Sequence, residues 1–186
     1  MNFHGYAEAI KREIDAALSG LDPEPCERLA DWIARSKRIF LAGMGRSGLM
    51  MKAFAMRLMH LGLEAHVVGE TTTPAIAAGD LLLIGSGSGE TESLLATAGK
   101  AKTLGIDVAL ITIHPGSSIG QQADLVVRIP ATTPKSAQPS AAASIQPKGS
   151  LFEQTMLLIC ESVVLRLMEM RGVVPEGMFL RHANLE

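Results

Sequence analysis

The stretch "DLLLIGSGSGETESL", residues Asp80 to Leu94, joins a short aliphatic run to a helical pattern through three alternating glycines. A short, continuous run such as LLLI is typical of a buried β-strand. Apolar side chains then recur at helical spacing until Gly105, and glycine commonly ends a helix. The stretch therefore predicts a strand, a glycine-rich turn and a helix, which is the repeating unit of a parallel α/β sheet.

The glycine-rich turn has the composition of an anion-binding loop. The alternating glycines of Gly85–Gly89 are expected to take positive φ and to turn their N–H groups toward one point, while the next helix adds its positive end. Ser86, Ser88 and Thr91 supply hydroxyl donors, and the lysine of nucleoside triphosphate loops is absent. A small phosphate monoester is the expected ligand, and a turn with glycines chosen only for geometry is the alternative.

A second glycine loop, "GMGRSG" at Gly43–Gly48, also follows a predicted strand and opens a predicted helix. It matches the G-x-G-x-x-G dinucleotide fingerprint, and Glu70 lies where a ribose-binding acid would be expected. A nicotinamide-dependent oxidoreductase is therefore one alternative. In a sheet of order 2-1-3-4-5, however, the two glycine loops emerge side by side where ligands bind, so we expect Arg46 and Ser47 to join the other loop around one ligand.

The rest of the chain alternates strand-like and helical patterns. Strands are predicted at "RIFLAG", "EAHVVGE", "DLLLIG", "DVALITI" and "DLVVRIP". This alternation predicts an α/β fold, a three-layer α/β/α sandwich around a five-stranded parallel sheet of flavodoxin-like order. We expect a single domain, with N-terminal helices in 1–36, the α/β core in 37–129, a proline-rich flexible loop in 130–149, and the last helix and tail in 150–186.

Composition and charge exclude some classes of binding partner. A net charge of −2 with scattered basic residues argues against nucleic acid and anionic membranes as partners. No apolar run approaches the ~18 residues that a membrane span needs. Cys26 and Cys160 lie in apolar helical patterns without metal or redox spacing, which favours a reduced, cytoplasmic setting. The apolar first and last helices predict a homo-oligomer.

Several segments resemble a known family. The paired loops "GMGRSG" and "GSGSGET" resemble those of the sugar isomerase (SIS) domain family. The segments "VVGETTTPAIAAGDLLLIGSGSGET", "IQPKGSLFEQ" and "RHANLE" closely resemble the 6-phospho-3-hexuloisomerase family, so that the resemblance covers nearly the whole chain. It implies a cofactor-free isomerase that interconverts D-arabino-hex-3-ulose 6-phosphate and D-fructose 6-phosphate through a cis-enediolate. It also implies a homotetramer in the ribulose monophosphate pathway of formaldehyde fixation.

The resemblance also implies roles for individual residues. It assigns the catalytic base to Glu153 and a second catalytic role to His182, which would reach the site from a neighbouring subunit. His182 would shuttle protons between O2 and O3, or else open the sugar ring. Substrate contacts are expected from two groups, Arg46 and Ser47 on the first loop and Ser86, Gly87, Ser88, Gly89, Glu90 and Thr91 on the second.

Alternatives accompany these assignments. Ser150 and Glu153 also have the spacing of a capping box, in which the acid only caps a helix. A non-catalytic phosphosugar sensor is a second class, although no DNA-binding segment is recognised beside the domain. Another aldose–ketose phosphate could be the substrate of the same site. No histidine pair has metal-ligand spacing with a carboxylate, so no metal site is predicted.

Overall fold

Five strands form one parallel sheet in the computed structural model, which describes residues 1–131 and 144–185. The strands are β1 (Ile39–Gly43), β2 (Ala65–Val67), β3 (Leu81–Gly85), β4 (Asp107–Thr112) and β5 (Leu125–Arg128). Their order is β2-β1-β3-β4-β5, which confirms the predicted flavodoxin-like order. Most of the predicted loop 130–149 falls in 132–143 and so lies outside the described residues.

Helices cover both faces of this sheet. They are α1 (Phe3–Ser19), α2 (Pro23–Arg35), α3 (Gly45–His60), α4 (Glu92–Thr103), α5 (Ser150–Arg171) and α6 (Pro175–Phe179). Side chains of α2, α3 and α5 share one hydrophobic core on one face, and α4 packs in a second core on the other. The three-layer α/β/α architecture is thus confirmed, and the single-domain boundaries stay a prediction.

The short helix α6 was not predicted from the sequence. It has five residues and begins with Pro175, a residue type whose fixed φ suits the first turn of a helix. A five-residue segment is too short to show helical periodicity, so the sequence pattern indicated only a tail. Within the part of the chain that the structure describes, no helix has both the length and the apolar character needed to cross a membrane.

Glycines allow α3 to lie directly against the end of β1. A Cβ atom on Gly48 would stand 2.6 Å from the carbonyl oxygen of Gly43, which is closer than such atoms can approach. A Cβ on Gly43 would in turn stand 3.0 Å from the backbone of Gly48. The first and third glycines of "GMGRSG" are therefore required by close packing of strand and helix, as in other strand–glycine–helix turns.

A buried ion pair fixes the start of β3. The carboxylate of Asp80 accepts hydrogen bonds from Arg38 Nε at 3.1 Å, from Arg38 Nη2 at 2.6 Å and from the Ala77 N–H at 2.7 Å. Its side chain is only 2% exposed. Burial alone would raise the pKa of Asp80, but the hydrogen bonds from Arg38 and Ala77 outweigh burial, and the pKa is lowered.

Replacing Asp80 by asparagine should therefore lower the free energy of unfolding by about 1–3 kcal/mol near neutral pH, because a charged hydrogen-bond acceptor is lost. The folded-state pKa of Asp80 lies below its ordinary value of 3.8. Its contribution is thus present above that value and is lost as the pH falls through the folded-state pKa. Urea unfolding of parent and variant at neutral and acidic pH measures the difference.

The control is Glu169→Gln, which removes a carboxylate that is 75% exposed and paired with Arg166. Exposed pairs contribute about 0–1 kcal/mol, so this variant should unfold nearly as the parent does. A difference between parent and Asp80→Asn that stays constant from neutral to acidic pH would contradict the role given to the ionised Asp80.

Candidate active site

The two glycine loops begin at neighbouring positions, as predicted. Gly43 at the end of β1 and Gly85 at the end of β3 are partners in the parallel register. The loop after β1 leads into α3 at Gly45, and the loop after β3 leads into α4 at Glu92. Both helix N-termini therefore lie at the carboxyl edge of the sheet, at the point where the strand order reverses and α/β proteins bind ligands.

The glycines of the second loop have different functions from those predicted. Only Gly89 has positive φ, at 65°, and a Cβ there would stand 1.9 Å from Ser117 Oγ. The expectation of positive φ is wrong for Gly85 and Gly87. These two glycines instead admit neighbouring side chains, since a Cβ on Gly87 would lie 3.2 Å from the ring of Phe152.

Some polar groups of this loop form hydrogen bonds within the loop, and others can form hydrogen bonds with a ligand. Ser86 is buried, and its hydroxyl accepts a hydrogen bond from the Gly89 N–H at 3.2 Å. The exposed Ser88 hydroxyl accepts one from the Glu90 N–H at 3.2 Å. Among the described residues, the N–H groups of Gly87 and Ser88 have no backbone acceptor, and the Thr91 hydroxyl does not cap α4. These groups leave donors for an anion at the start of α4.

Glu90 is the loop residue whose environment differs most from the predicted one. Its carboxylate accepts a hydrogen bond from the Ser118 N–H at 2.7 Å. Hydrogen bonding by Ser118 lowers the pKa of Glu90, and the nearby His114 contributes in the same direction. The carboxylate thus joins the glycine loop to the turn after β4, and a direct contact with a ligand stays a prediction.

Arg46 connects the first glycine loop to the last long helix. Its guanidinium Nε forms an ion pair with Glu153 Oε2. The Glu153 side chain is 10% exposed, whereas Arg46 is 61% exposed, so the carboxylate lies inward and the guanidinium borders solvent. Ser47 follows in the same turn of α3 and is half-buried. The structure therefore brings Arg46 and Glu153 into contact, an ion pair that was not predicted, and the substrate contacts expected of Arg46 and Ser47 stay predictions.

The helix-cap alternative for Glu153 is wrong. The N-cap of α5 is Gly149, with φ of 91°, and Ser150 is the first helical residue rather than the cap. No side chain caps this helix among the described residues, and the Glu153 carboxylate turns to Arg46. A Cβ on Gly149 would lie 3.3 Å from Glu153 Oε1, so this glycine also leaves room beside the carboxylate.

The first turn of α5 lies across both glycine loops. Phe152 packs at Gly87, and the Met156 sulfur would be 2.9 Å from a Cβ on Gly85, while Glu153 between them pairs with Arg46. A mostly buried carboxylate is thus held beside two helix N-termini that can bind an anion. Such an arrangement suits a general base acting on a bound anionic molecule.

His182 lies far from this carboxylate within one chain. Its ring stacks on that of His60 with 4.0 Å between centroids, and the neighbouring Arg181 donates a hydrogen bond to the His60 carbonyl at 3.4 Å. Burial lowers the pKa of His60, and the charges of His182 and Arg57 lower it further. His60 is the last residue of α3, and a rise of 1.5 Å per residue separates it from Arg46 by about 21 Å.

Two further predictions concern cofactors. Glu70, the acid required by the dinucleotide alternative, pairs with Lys52 at 3.1 Å, and this ion pair competes with the role of a ribose ligand. Within 1–131 and 144–185, no three His, Cys, Asp or Glu side chains are grouped closely enough to hold a metal ion. The described residues gathered at the loops combine N–H and hydroxyl donors suited to an anion with the mostly buried carboxylate of Glu153.

Known proteins share this fold. The SIS domain family model matches residues 32–158. A Bacillus subtilis protein named 3-hexulose-6-phosphate isomerase is 54% identical over 97% of each chain, and a Mycobacterium gastri protein of that name is 44% identical over 95% of this chain and 88% of its own. The crystal structure of a hypothetical Methanococcus jannaschii protein, from which the function of 3-hexulose-6-phosphate isomerase was inferred, is 34% identical with a TM-score of 0.83, covering 98% of this chain and 99% of that chain.

The chain belongs to the SIS domain family. Within that family its relatives include proteins named 3-hexulose-6-phosphate isomerase, and the resemblance seen in the sequence is thereby confirmed. The aligned regions of these two relatives cover 97% and 95% of the chain. The same relatives confirm the prediction of an isomerase.

The second loop can be tested by its affinity for a sugar phosphate. Ser88→Ala should weaken the binding of fructose 6-phosphate about 10- to 150-fold, because a hydrogen bond to a charged group contributes roughly 1.5–3 kcal/mol. Titration calorimetry measures the dissociation constant. Ser162→Ala, which removes an exposed hydroxyl bonded to the Leu158 carbonyl within α5, is the control. Equal affinities for all three proteins would exclude the Ser88 hydroxyl as a phosphate ligand.

Proposed function

We propose that this chain interconverts D-arabino-hex-3-ulose 6-phosphate and D-fructose 6-phosphate, with Glu153 as the catalytic base. One observation supports the proposal most strongly: the inward carboxylate of Glu153 lies between the two glycine loops, in the first turn of α5. Relatives named 3-hexulose-6-phosphate isomerase support the choice of substrate.

The reaction moves a carbonyl between C3 and C2 of one sugar. A base removes the proton from C2 of the 3-ketose, a cis-enediolate forms, and a proton returns at C3. Among the described residues, Glu153 is the one mostly buried carboxylate at the meeting point of the loops, so it is assigned this step. Arg46 keeps the carboxylate oriented, and its positive charge can stabilise negative charge that develops on the enediolate oxygens.

The second loop is assigned to the substrate phosphate. The N–H groups of Gly87 and Ser88, the Ser88 and Thr91 hydroxyls, and the N-terminus of α4 provide neutral donors and a positive dipole end. Phosphate binding far from the reacting carbons supplies affinity and orientation, and part of it is used in the transition state. Ser86 and Gly89 then shape the loop through their mutual hydrogen bond.

His182 is assigned to the active site of a neighbouring subunit in a homotetramer. In its own chain it lies at the far end of α3 from Glu153, so a shared site requires a second chain. Large exposed apolar side chains near it, Leu165, Phe179 and Leu180, are 66–85% exposed and favour burial by a partner. His182 would carry protons between O2 and O3. Ring opening is its second possible role, and it is needed only when fructose 6-phosphate is the reactant.

The proposed cellular context is the ribulose monophosphate pathway of formaldehyde fixation, in the cytoplasm. Cys26 and Cys160 are both free thiols. Burial raises the pKa of Cys26 to about 11 and that of Cys160 further, so neither thiol is ionised at neutral pH. Free thiols that are not ionised are compatible with a reducing compartment.

Glu153→Gln should reduce the turnover number about 10²- to 10⁴-fold, because a neutral amide cannot accept the C2 proton. The glutamine oxygen can still accept the hydrogen bond from Arg46, so the variant should stay folded, with a loss of about 1–3 kcal/mol of stability because the acceptor is no longer charged. The assay supplies D-arabino-hex-3-ulose 6-phosphate in deuterated water and follows both fructose 6-phosphate formation and deuterium incorporation. The variant should show almost no incorporation while it still binds fructose 6-phosphate.

Glu161→Gln is a matched control. Glu161 lies two turns further along α5 and pairs with another α3 arginine, Arg57, at 3.2 Å. The Glu161→Gln variant should retain the parent's turnover number. Near-normal turnover by Glu153→Gln would show that the base is another residue, and a parent protein that binds the sugar phosphate without converting it would favour a sensor.

A further inference from the structure

The carboxylate of Glu13, on α1, binds residues 144–146, which lie just before the helix that carries the proposed base. Glu13 Oε2 accepts hydrogen bonds from Ser144 Oγ at 2.7 Å and from Gln146 Nε2 at 2.8 Å, and Glu13 Oε1 accepts one from the Ile145 N–H at 2.8 Å. The Gln146 N–H also donates to Ser144 Oγ at 3.1 Å. Both oxygens of Glu13 are therefore used to fix three successive residues.

These three residues lead directly to the first turn of α5. The carbonyl of Pro147 accepts a hydrogen bond from the Ser150 N–H at 3.0 Å, and the Gly149 carbonyl accepts one from the Glu153 N–H at 3.0 Å. Gly149 is the left-handed N-cap residue that lies beside the Glu153 carboxylate. The backbone from 144 to 149 is thus joined by hydrogen bonds to the first turn of α5, which carries Glu153.

The charge of Glu13 is consistent with this contact set. Burial alone would raise the pKa of Glu13, but hydrogen bonds from Gln146, Ser144 and Ile145 outweigh burial, and the pKa is lowered. Glu13 is therefore ionised at neutral pH, when charged hydrogen bonds are strongest. Because α1 also packs against α5, the contact fixes the segment relative to the helix that carries the base.

We propose that Glu13 is a positioning residue for Glu153. It fastens residues 144–146 to α1, so that Gly149 and the first turn of α5 hold the Glu153 carboxylate in its reactive position. The inference rests on the proposed function, because it assumes that Glu153 is the base. Glu13 itself lies on α1 and contacts no residue of the two glycine loops among the described hydrogen bonds.

Two substitutions remove different numbers of the hydrogen bonds made by Glu13. Glutamine keeps the length of the side chain and one acceptor oxygen, whereas alanine removes all three hydrogen bonds. Because small displacements of a reacting group can cost up to about 10²-fold in rate, Glu13→Gln should lower the turnover number about threefold and Glu13→Ala about 10- to 100-fold. The Michaelis constant should stay within about twofold in both, since the phosphate loop is unchanged.

The control is Glu8→Ala, on the same helix. Glu8 contacts only the exposed Lys11 at 3.7 Å among described ion pairs, and its side chain is 42% exposed. It should retain the parent's turnover number and Michaelis constant. A melting temperature above the assay temperature shows that a variant is folded in the assay. Hydrogen exchange at the Ile145 amide should accelerate only in the Glu13 variants.

The outcomes separate the inference from the proposed function. If Glu153→Gln is inactive and both Glu13 variants match the parent, the positioning role is wrong and the base assignment stands. The same conclusion follows if the Michaelis constant changes as much as turnover. If Glu153→Gln is fully active, the base assignment fails whatever Glu13 does. A graded loss of turnover from glutamine to alanine, at constant Michaelis constant, supports the proposal.

Discussion

The site depends on how closely α5 approaches the ends of β1 and β3. A Cβ atom on Gly85 would stand 2.7 Å from the sulfur of Met51 on α3 and 2.9 Å from that of Met156 on α5. A side chain there would displace the Met51 and Met156 side chains, which pack α3 and α5 against the end of the sheet. With glycine at this position both sulfur atoms lie against the end of β3, and the first turn of α5 is close enough to the loops for Glu153 to contact Arg46.

Local sequence patterns were sufficient to predict the strands, helices and glycine loops that surround this site. Strand and helix periods and the two glycine loops indicated the strand order, and that order places both loops at one switch point. The start of α5 was less certain from sequence, because "GSLFEQ" fits a capping box as well as a catalytic turn. The positive φ of Gly149 and the contact with Arg46 rule out the capping box, while the catalytic role of Glu153 stays a prediction.

Contacts between distant residues could not be predicted in this way. Arg46 and Glu153 are 107 positions apart, and Glu13 is more than 130 positions from the residues that it holds. A carboxylate on an amphipathic helix such as α1 looks like part of a solvated face in the sequence, and its partners become visible only when the helices pack. The same is true of Glu90, which a local pattern assigns to the ligand loop and the structure joins to Ser118.

Helix α3 separates the two proposed catalytic groups. Its first turn carries Arg46 at the glycine loops, and its last residue, His60, supports the ring of His182. A rigid helix of this length keeps the groups about 21 Å apart along its axis. The proposed chemistry therefore requires that the base of one chain and the histidine of another meet at a single site in the oligomer.

Co-assembly of two inactive variants tests this claim most directly. Glu153→Gln and His182→Ala chains, each inactive alone, are unfolded together, refolded as mixed oligomers and assayed with D-arabino-hex-3-ulose 6-phosphate. If each site takes Glu153 and His182 from different chains, random mixing at equal amounts should restore about a quarter of the parent's activity. If mixed oligomers form and remain as inactive as the separate variants, both groups act from the same chain and the shared site is wrong.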